Sequence, residues 1–395
     1  MASPVADSSG ASTLDEQDVI RRLLQSESIQ QQAQSRAAVA DARGQSASLW
    51  DNPRIAYQRS QLEGGETEDQ LQLSQSFDFS GRRGLWSDAA SRRADAARAR
   101  GTGSRWLQTT AARSVFFEAL YRQERSDILQ TWRARLAAAL QTVELRVKSG
   151  DAPRYESLRL AQQSRRAEAS WGAEFAMLQG ARSRLVALLT GDISLETKLA
   201  GELLPQRAPL TEAAMRGALS SRGDLLAQRH LADAAKLEQQ ASRRAWIPKL
   251  SLSVGYRGVE TAGIRNNGYI AGASLALPVF NRAQGKSAEA SARASEATAT
   301  AKRRTQQAFA DSRGLAVQVN QLREVSETQR KGSLPRLNEL VTSVNAAYRG
   351  GEVGIVELID AYRAEVNSRL SVVDLQWRAR QAALKLDGLL GRTQS

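Results

Sequence analysis

Two copies of one plan, about two hundred residues apart, constrain this chain more than any other feature. Phe79 corresponds to Phe280, Gly84 to Gly285, Gly150 to Gly351 and Leu188-Leu189 to Leu389-Leu390, each pair 201 positions apart (79 to 280). Each copy predicts a short strand, a turn, a second short strand, a very long helix, a glycine break and a further helix. Repeats of this kind are supersecondary units that cannot bury an apolar face alone and so must stack on one another. Strand and helix segments repeated around an axis suit a conduit better than a soluble enzyme. We expect a mostly α protein with a small β part. The first repeat spans 1–195 (hairpin 54–80, long helices 84–149 and 153–190), a linker spans 196–209, and the second repeat spans 210–395 (helix 210–245, hairpin 249–278, long helices 283–349 and 352–391).

The 395 residues could fill two or three globular domains, but only 8 prolines among abundant Ala, Arg, Gln, Glu and Leu favour long helices. Lys and Arg number 55 against 42 Asp and Glu, giving +13. That balance permits a nucleic-acid or anionic-membrane partner, yet the arginines are spread along helix faces and not gathered in a block. A nucleic-acid binder would also leave the hairpins unexplained, so no nucleic-acid partner is expected. The absence of cysteine removes disulfides, thiolate sites and a lipid-bearing cysteine from the chain as given. No run of eighteen apolar residues exists, which excludes a membrane-spanning helix but not transmembrane β-strands of roughly ten alternating residues. The start, Met1-Ala-Ser-Pro-Val-Ala-Asp, lacks the apolar core of a signal peptide, so the chain is either cytoplasmic or has lost an export signal.

The opening segment to Ala11 is small and polar and predicts disorder, and Leu14 to Arg43, with Val19, Ile20, Leu23 and Leu24 at helical spacing, predicts a first helix. Strands are expected over 54–61 and 70–80, separated by the turn Glu63-Gly64-Gly65-Glu66. Leu71, Leu73, Phe77 and Phe79 share one parity, with Gln70, Gln72, Ser74, Ser76 and Asp78 on the other. In the second copy Leu250, Leu252, Val254 and Tyr256 alternate with Ser251, Ser253, Gly255 and Arg257, and Tyr269, Ala271, Ala273, Leu275 and Leu277 return; Ile270 and Ala276 blur the polar face. The same alternation fits hairpins of a soluble sandwich, although four strands flanked by such long helices make a poor soluble sheet. Trp50 and Pro53 precede the first hairpin, and Trp246 and Pro248 the second, which suits an aromatic belt where chain enters lipid. Buried core tryptophans are the other reading.

From Gly84 to Ser149 no proline occurs, and at about 1.5 Å per residue a continuous helix there would reach on the order of 100 Å. Leu129, Trp132, Leu136, Leu140, Val143 and Val147 give it one apolar stripe, and Ile355, Ile359, Tyr362, Val366, Leu370, Val373 and Trp377 repeat the rhythm in the last helix. A soluble coiled-coil scaffold would explain these stripes equally well. Lys331-Gly332-Ser333-Leu334-Pro335 predicts a kink or short break, because proline removes a helical hydrogen bond, and an equatorial belt is expected there.

Taken in order, Trp246-Ile-Pro248 leading into Leu250 to Tyr256, then Leu277-Pro-Val-Phe-Asn281, then Tyr348-Arg-Gly-Gly-Glu-Val-Gly354-Ile-Val-Glu-Leu-Ile-Asp-Ala361, then Leu389-Leu-Gly391, the chain resembles the TolC family of outer-membrane efflux channels, in layout its heavy-metal branch. The resemblance covers nearly the whole chain. It implies a homotrimer whose protomers each give four strands to a shared twelve-stranded barrel in outer-membrane lipid and their helices to a periplasmic tunnel. It also implies two partners, a periplasmic adaptor protein and an inner-membrane pump of the RND type. The turns meeting the adaptor would be Lys148-Ser-Gly150-Asp151-Ala-Pro153 and Arg349-Gly-Gly351-Glu-Val353-Gly354, and the acidic ring of the closed aperture would be Glu357 and Asp360. Those two lie one helical turn apart on a common face, and threefold symmetry would gather six carboxylates that attract cations. On an ordinary helix the same pair would be solvated surface residues. The chain departs from the family in carrying Pro153 where the second turn has Gly354, and in its strongly basic balance.

No catalytic constellation emerges. Gly285-Lys286-Ser287 resembles the end of a phosphate-binding loop, but Phe280 stands where that loop requires glycine. His230 is the one histidine, and Met1, Met177 and Met215 form no relay of soft ligands, so neither a cofactor nor a resident metal is expected. Export would be passive, driven by the pump.

Overall fold

A computed structural model of the chain describes residues 13–25, 27–63, 65–189, 194–206 and 210–391. The segment to Ala11, Gly64 and the end of the expected linker, 207–209, lie outside the described residues. The elements run α1 (Glu16–Leu24), α2 (Glu27–Ser48), β1 (Arg54–Gln61), β2 (Thr67–Phe77), α3 (Arg82–Ser149), α4 (Arg154–Leu188), α5 (Glu212–Ser221), α6 (Gly223–Arg243), β3 (Leu250–Thr261), β4 (Ile264–Leu275), α7 (Gln284–Thr328), a π-helical turn (Gln329–Ser333), α8 (Leu334–Gly350) and α9 (Ile355–Leu390). The order hairpin, long helix, second helix thus occurs twice. No helix among the described residues is long and apolar enough to cross a membrane.

Two local expectations are corrected, and a third is given its form. The helix expected over 14–43 is two helices, α1 ending at Leu24 and α2 beginning at Glu27: Leu14 is in a parallel bridge with Leu199, and Asp15 caps α1, its Oδ1 accepting from the Asp18 N–H at 2.8 Å. The strand expected over 70–80 is β2, 67–77, because pairing with β1 starts at Thr67 while Asp78 turns the chain by accepting from the Ser80 N–H at 2.9 Å. The break expected at Lys331 to Pro335 takes the form of a π-helical turn and does not end the helix. Pro335 sits at the start of α8, and the π-helical turn before it admits one extra residue, the Leu334 N–H reaching back to the Gln329 carbonyl.

The chain divides into two compact units, each drawing on both halves of the sequence: one from the described residues of Met1–Gln30, Ser104–Leu219 and Ala308–Ser395, the other from Gln31–Gly103 and Ser220–Gln307. The second unit holds an antiparallel sheet of order β1-β2-β3-β4, with β1 and β4 as open edges. Its helices approach closely at Gly223, where a Cβ would stand 2.3 Å from the Ala99 carbonyl oxygen, so α6 can lie along the small-residue face of Ala96 and Ala99 only because that position has no side chain.

In the first unit the apolar stripes face each other as their spacing requires. Leu136 and Val143 of α3, Leu160 of α4, Val341 and Tyr348 of α8, and Ile355, Ile359 and Tyr362 of α9 form one buried cluster; Phe116, Phe117, Leu120, Leu185 and Leu384 form another with Val19 and Leu23. Charged groups are buried here in partnership: Arg113 is sealed between Glu16 and Asp387, with Nη1 to Asp387 Oδ2 at 3.0 Å. The described part of the expected linker is a packed strap. Leu199 and Leu203 are buried, Gln123 holds both the N–H and the carbonyl of Leu199 (3.1 and 2.9 Å), and Arg380 donates to the carbonyls of Glu202, Leu203 and Leu204 while lying 4.1 Å from the Phe117 ring centre.

Candidate channel wall and helical turns

Register decides what the sheet can do. Tyr57, Leu71, Tyr256 and Tyr269 align across the four strands, as do Ile55, Leu73, Val254 and Ala271, and nearer the helical end Phe77, Leu250 and Leu275. The opposite parity holds Ser74, Ser253 and Gly272, the mixed row Ala56, Gln72, Gly255 and Ile270, and beyond the tyrosines Gln70, Arg257 and Gly268. In the half of the sheet nearer the helices one face is thus mainly apolar, with Gln75 as its polar member, whereas beyond the tyrosine row the same face turns charged at Arg59, Asp69 and Asn267; the opposite face is mainly polar, since side chains alternate with period two. The apolar face is uncovered, with Tyr269 94% and Ile55 76% exposed. On the polar face Arg257 pairs with Glu68 at 2.7 Å, and Ser76 shares a 2.8 Å hydrogen bond with Ser251. Ile270, read as a blemish on that face, pairs with Gly255 and is half-buried.

The two expected turns are the same structure built twice. At the first, the Gly150 N–H bonds to the Val147 carbonyl at 3.3 Å and the Asp151 N–H to the Arg146 carbonyl at 2.8 Å; at the second, Gly351 bonds to Tyr348 at 3.2 Å and Glu352 to Ala347 at 2.9 Å. This is the Schellman closure, which requires a left-handed residue, and Gly150 (φ 82°) and Gly351 (φ 78°) supply it. Pro153 then caps α4 at φ −72°, and Gly354 caps α9 at φ −86°. Basic residues close both outgoing helices, Arg146 and Lys148 on α3 and Arg349 on α8, where they complement the carbonyl end. Gly150, Asp151, Gly351 and Gly354 are exposed, whereas Val353 is half-buried against the cluster of Ile355 and Tyr348.

Glu357 and Asp360 are both exposed in the first turns of α9. Glu357 folds back over the helix start, so that a Cβ on Gly354 would lie 3.1 Å from its Oε2. Asp360 sits 3.6 Å from Arg363, which also donates to Gln163 Oε1 at 3.1 Å. The i,i+3 spacing of that pair was open to sequence reasoning, but the contacts tying the turns together were not. The Tyr348 hydroxyl donates to Glu156 Oε2 at 3.1 Å, and burial followed by the Glu156 carboxylate pushes its pKa up to about 12. Deeper in the bundle Glu365 bonds Arg135 and, at 2.9 Å, Arg369. The only sequence hint of the first link is an acidic residue in the opening turn of α4.

Trp50 and Trp246 are 52% and 56% exposed, which removes the buried-core reading of both. Trp50 lies edge-on to Phe77 at 6.1 Å and carries the Arg83 guanidinium 3.6 Å from its ring centre. Trp246 stands in the turn between α6 and β3.

A family model described as outer membrane efflux protein matches residues 214–392. The cobalt-zinc-cadmium resistance protein CzcC of Cupriavidus metallidurans is 26% identical over 327 residues, 81% of this chain and 76% of CzcC. The solved structure of the outer membrane protein VceC of Vibrio cholerae matches with a TM-score of 0.80 at 19% identity, covering 95% of this chain and 96% of VceC. A membrane protein from Pseudomonas aeruginosa matches with a TM-score of 0.80 at 21% identity, covering 99% of this chain and 98% of that one.

Proposed function

From the match of residues 214–392 to the outer membrane efflux protein family and the likeness to CzcC over most of the chain, we propose that the chain is a member of that family and the passive outer-membrane duct of a three-component export machine. Three copies close their four-stranded sheets into one twelve-stranded barrel, and their helices form the periplasmic passage. The observation that carries this is the sheet itself. Its apolar face is uncovered on every strand and both edges are unpaired, on a chain whose described helices cannot span lipid. In hydrocarbon an open edge leaves backbone groups unsatisfied, each at a cost of several kcal/mol, so closure with further copies is the physical solution.

The exposed glycine turns at Gly150 to Pro153 and Gly351 to Gly354 are the surfaces on which a periplasmic adaptor docks, and an inner-membrane pump of the RND type supplies the energy. The cargo is proposed to be divalent heavy-metal cations, on the strength of the likeness to the cobalt-zinc-cadmium resistance protein. Acidic residues at the start of α9 would attract such ions without holding them. The test is the size of the detergent-purified protein followed by planar-bilayer conductance. A trimer that inserts and conducts in discrete steps is expected; a monodisperse protein that needs no detergent overturns the duct and favours a soluble helical scaffold.

A further inference from the structure

At the helical end of the sheet, where β1 and β3 begin and β2 ends, a cleft of about 520 Å³ opens between Trp50, Asp51, Asp78, Arg82, Arg83 and Lys249. Two of its three cations are matched, Arg82 with Asp78 at 3.0 Å and Lys249 with Asp51 at 2.9 Å. The third is not. Arg83 lies flat against the Trp50 ring, and its Nη1 is buried without a hydrogen-bond partner. A guanidinium donor shut off from water with no acceptor keeps its desolvation penalty uncompensated, so a ligand with acceptor oxygens would relieve it.

The surroundings say which acceptor. Trp50 touches Phe77, which opens the apolar row Phe77, Leu250, Leu275, and Phe77 stacks on Phe79 at 6.2 Å. The uncovered apolar face of the sheet therefore ends in an aromatic cluster whose last ring carries the unsatisfied cation, with Leu49 and Trp86 exposed on the rim of the cleft. Greasy surface giving way to tryptophan and then to guanidinium is the order of environments met on leaving hydrocarbon for a headgroup layer. The cleft carries three cations against two carboxylates, and arginine presents the planar fork that suits phosphate oxygens.

We propose that this cleft binds the phosphate of a phospholipid in the leaflet nearest the helices, Arg83 and Lys249 taking the phosphate oxygens and one acyl chain lying on Trp50, Phe77 and Phe79. Each barrel would then hold three such lipids as struts at its base. The inference rests on the sheet being a membrane wall, and its test keeps the two apart.

Native mass spectrometry of the delipidated detergent complex, titrated with phosphatidylglycerol, is expected to show one tightly held lipid per protomer. Arg83→Gln should weaken that binding tenfold or more, Arg83→Lys should restore part of it, and Lys249→Gln should weaken it several-fold, with bilayer conductance unchanged in each. Diacylglycerol, which lacks phosphate, should not occupy the site, and inorganic phosphate should not compete. Equal lipid retention by wild type, Arg83→Gln and Lys249→Gln, all conducting, overturns the headgroup site alone, and effective competition by inorganic phosphate reduces it to a plain anion site. Should Arg83→Gln fail to assemble, Lys249→Gln and the diacylglycerol and phosphate arms still decide. A wild type that neither assembles nor conducts overturns the duct and this site with it.

Discussion

Glu124 lines a cleft of the helical unit beside the strap residues 201–206 and Arg323, and burial, reinforced by the Asp127 carboxylate, pushes its carboxyl up to about 7. An acid with a raised folded pKa binds its proton more tightly in the native than in the unfolded chain. Its contribution is fully present below the unfolded value of 4.5 and is lost as pH rises through about 7. Thermal melts of the detergent-solubilised protein between pH 5 and 8 should therefore show Tm falling with pH, and Glu124→Gln should flatten that slope and melt higher at pH 8. Equal slopes for the two proteins would remove Glu124 as the cause. At this scale sequence is a poor guide. Glu357 and Asp360 could be placed on one helix face from spacing alone, but nothing local links Arg113 to Asp387, 274 residues away, or sets Arg83 on Trp50.

The two glycine turns show which local rules bind tightly. Gly351 must hold φ 78° for the Schellman closure, a region that costs an L side chain roughly 1–2 kcal/mol. Gly354 stands at φ −86°, and its one close neighbour, Glu357 Oε2, is the end of a flexible side chain. Gly351→Ala should therefore lower stability by about 1 kcal/mol and Gly354→Ala by much less, as read by denaturant midpoints; equal losses would contradict the assignment of the strain to φ. Pro153, at the matching place in the first turn, already shows that the position needs no glycine. Helix ends marked by such glycines, and the apolar stripes of α3 and α9, were legible in the sequence. The start of β2 was not, because strand pairing set it, and neither was the π-helical turn, because Pro335 signals only that the regular ladder must give way and not how the freed carbonyls are used again.

For the whole molecule, the fold class followed from the repeat and the two alternating hairpins, whereas the two compact units could not, since each interleaves segments from both halves. The wall assignment makes a paired prediction: Val254→Arg, on the uncovered apolar face, should cost about 2–4 kcal/mol if that residue lies near mid-bilayer, while Ser253→Arg, one residue earlier and facing the polar side, should be tolerated. Trimer yield after refolding into vesicles reads both, and equal yields would place neither face in lipid. Closure by three copies would also bring the starts of three α9 helices toward one axis, with Glu357 and Asp360 as six carboxylates. Their environments differ, for Asp360 has Arg363 at 3.6 Å whereas Glu357 lies over the helix start. In such a ring repulsion among the acids would oppose closure and the arginine would offset part of it, leaving Glu357 as the main source of a cation-drawing field. Glu357→Gln should then reduce cation selectivity more than Asp360→Asn does, and changing both to Ala should raise leak conductance if they hold the aperture. Single-channel recording in asymmetric salt separates the two effects, and a double variant that keeps the low wild-type conductance would assign the closure to other contacts, with the Tyr348–Glu156 link between the turns as the next to be cut.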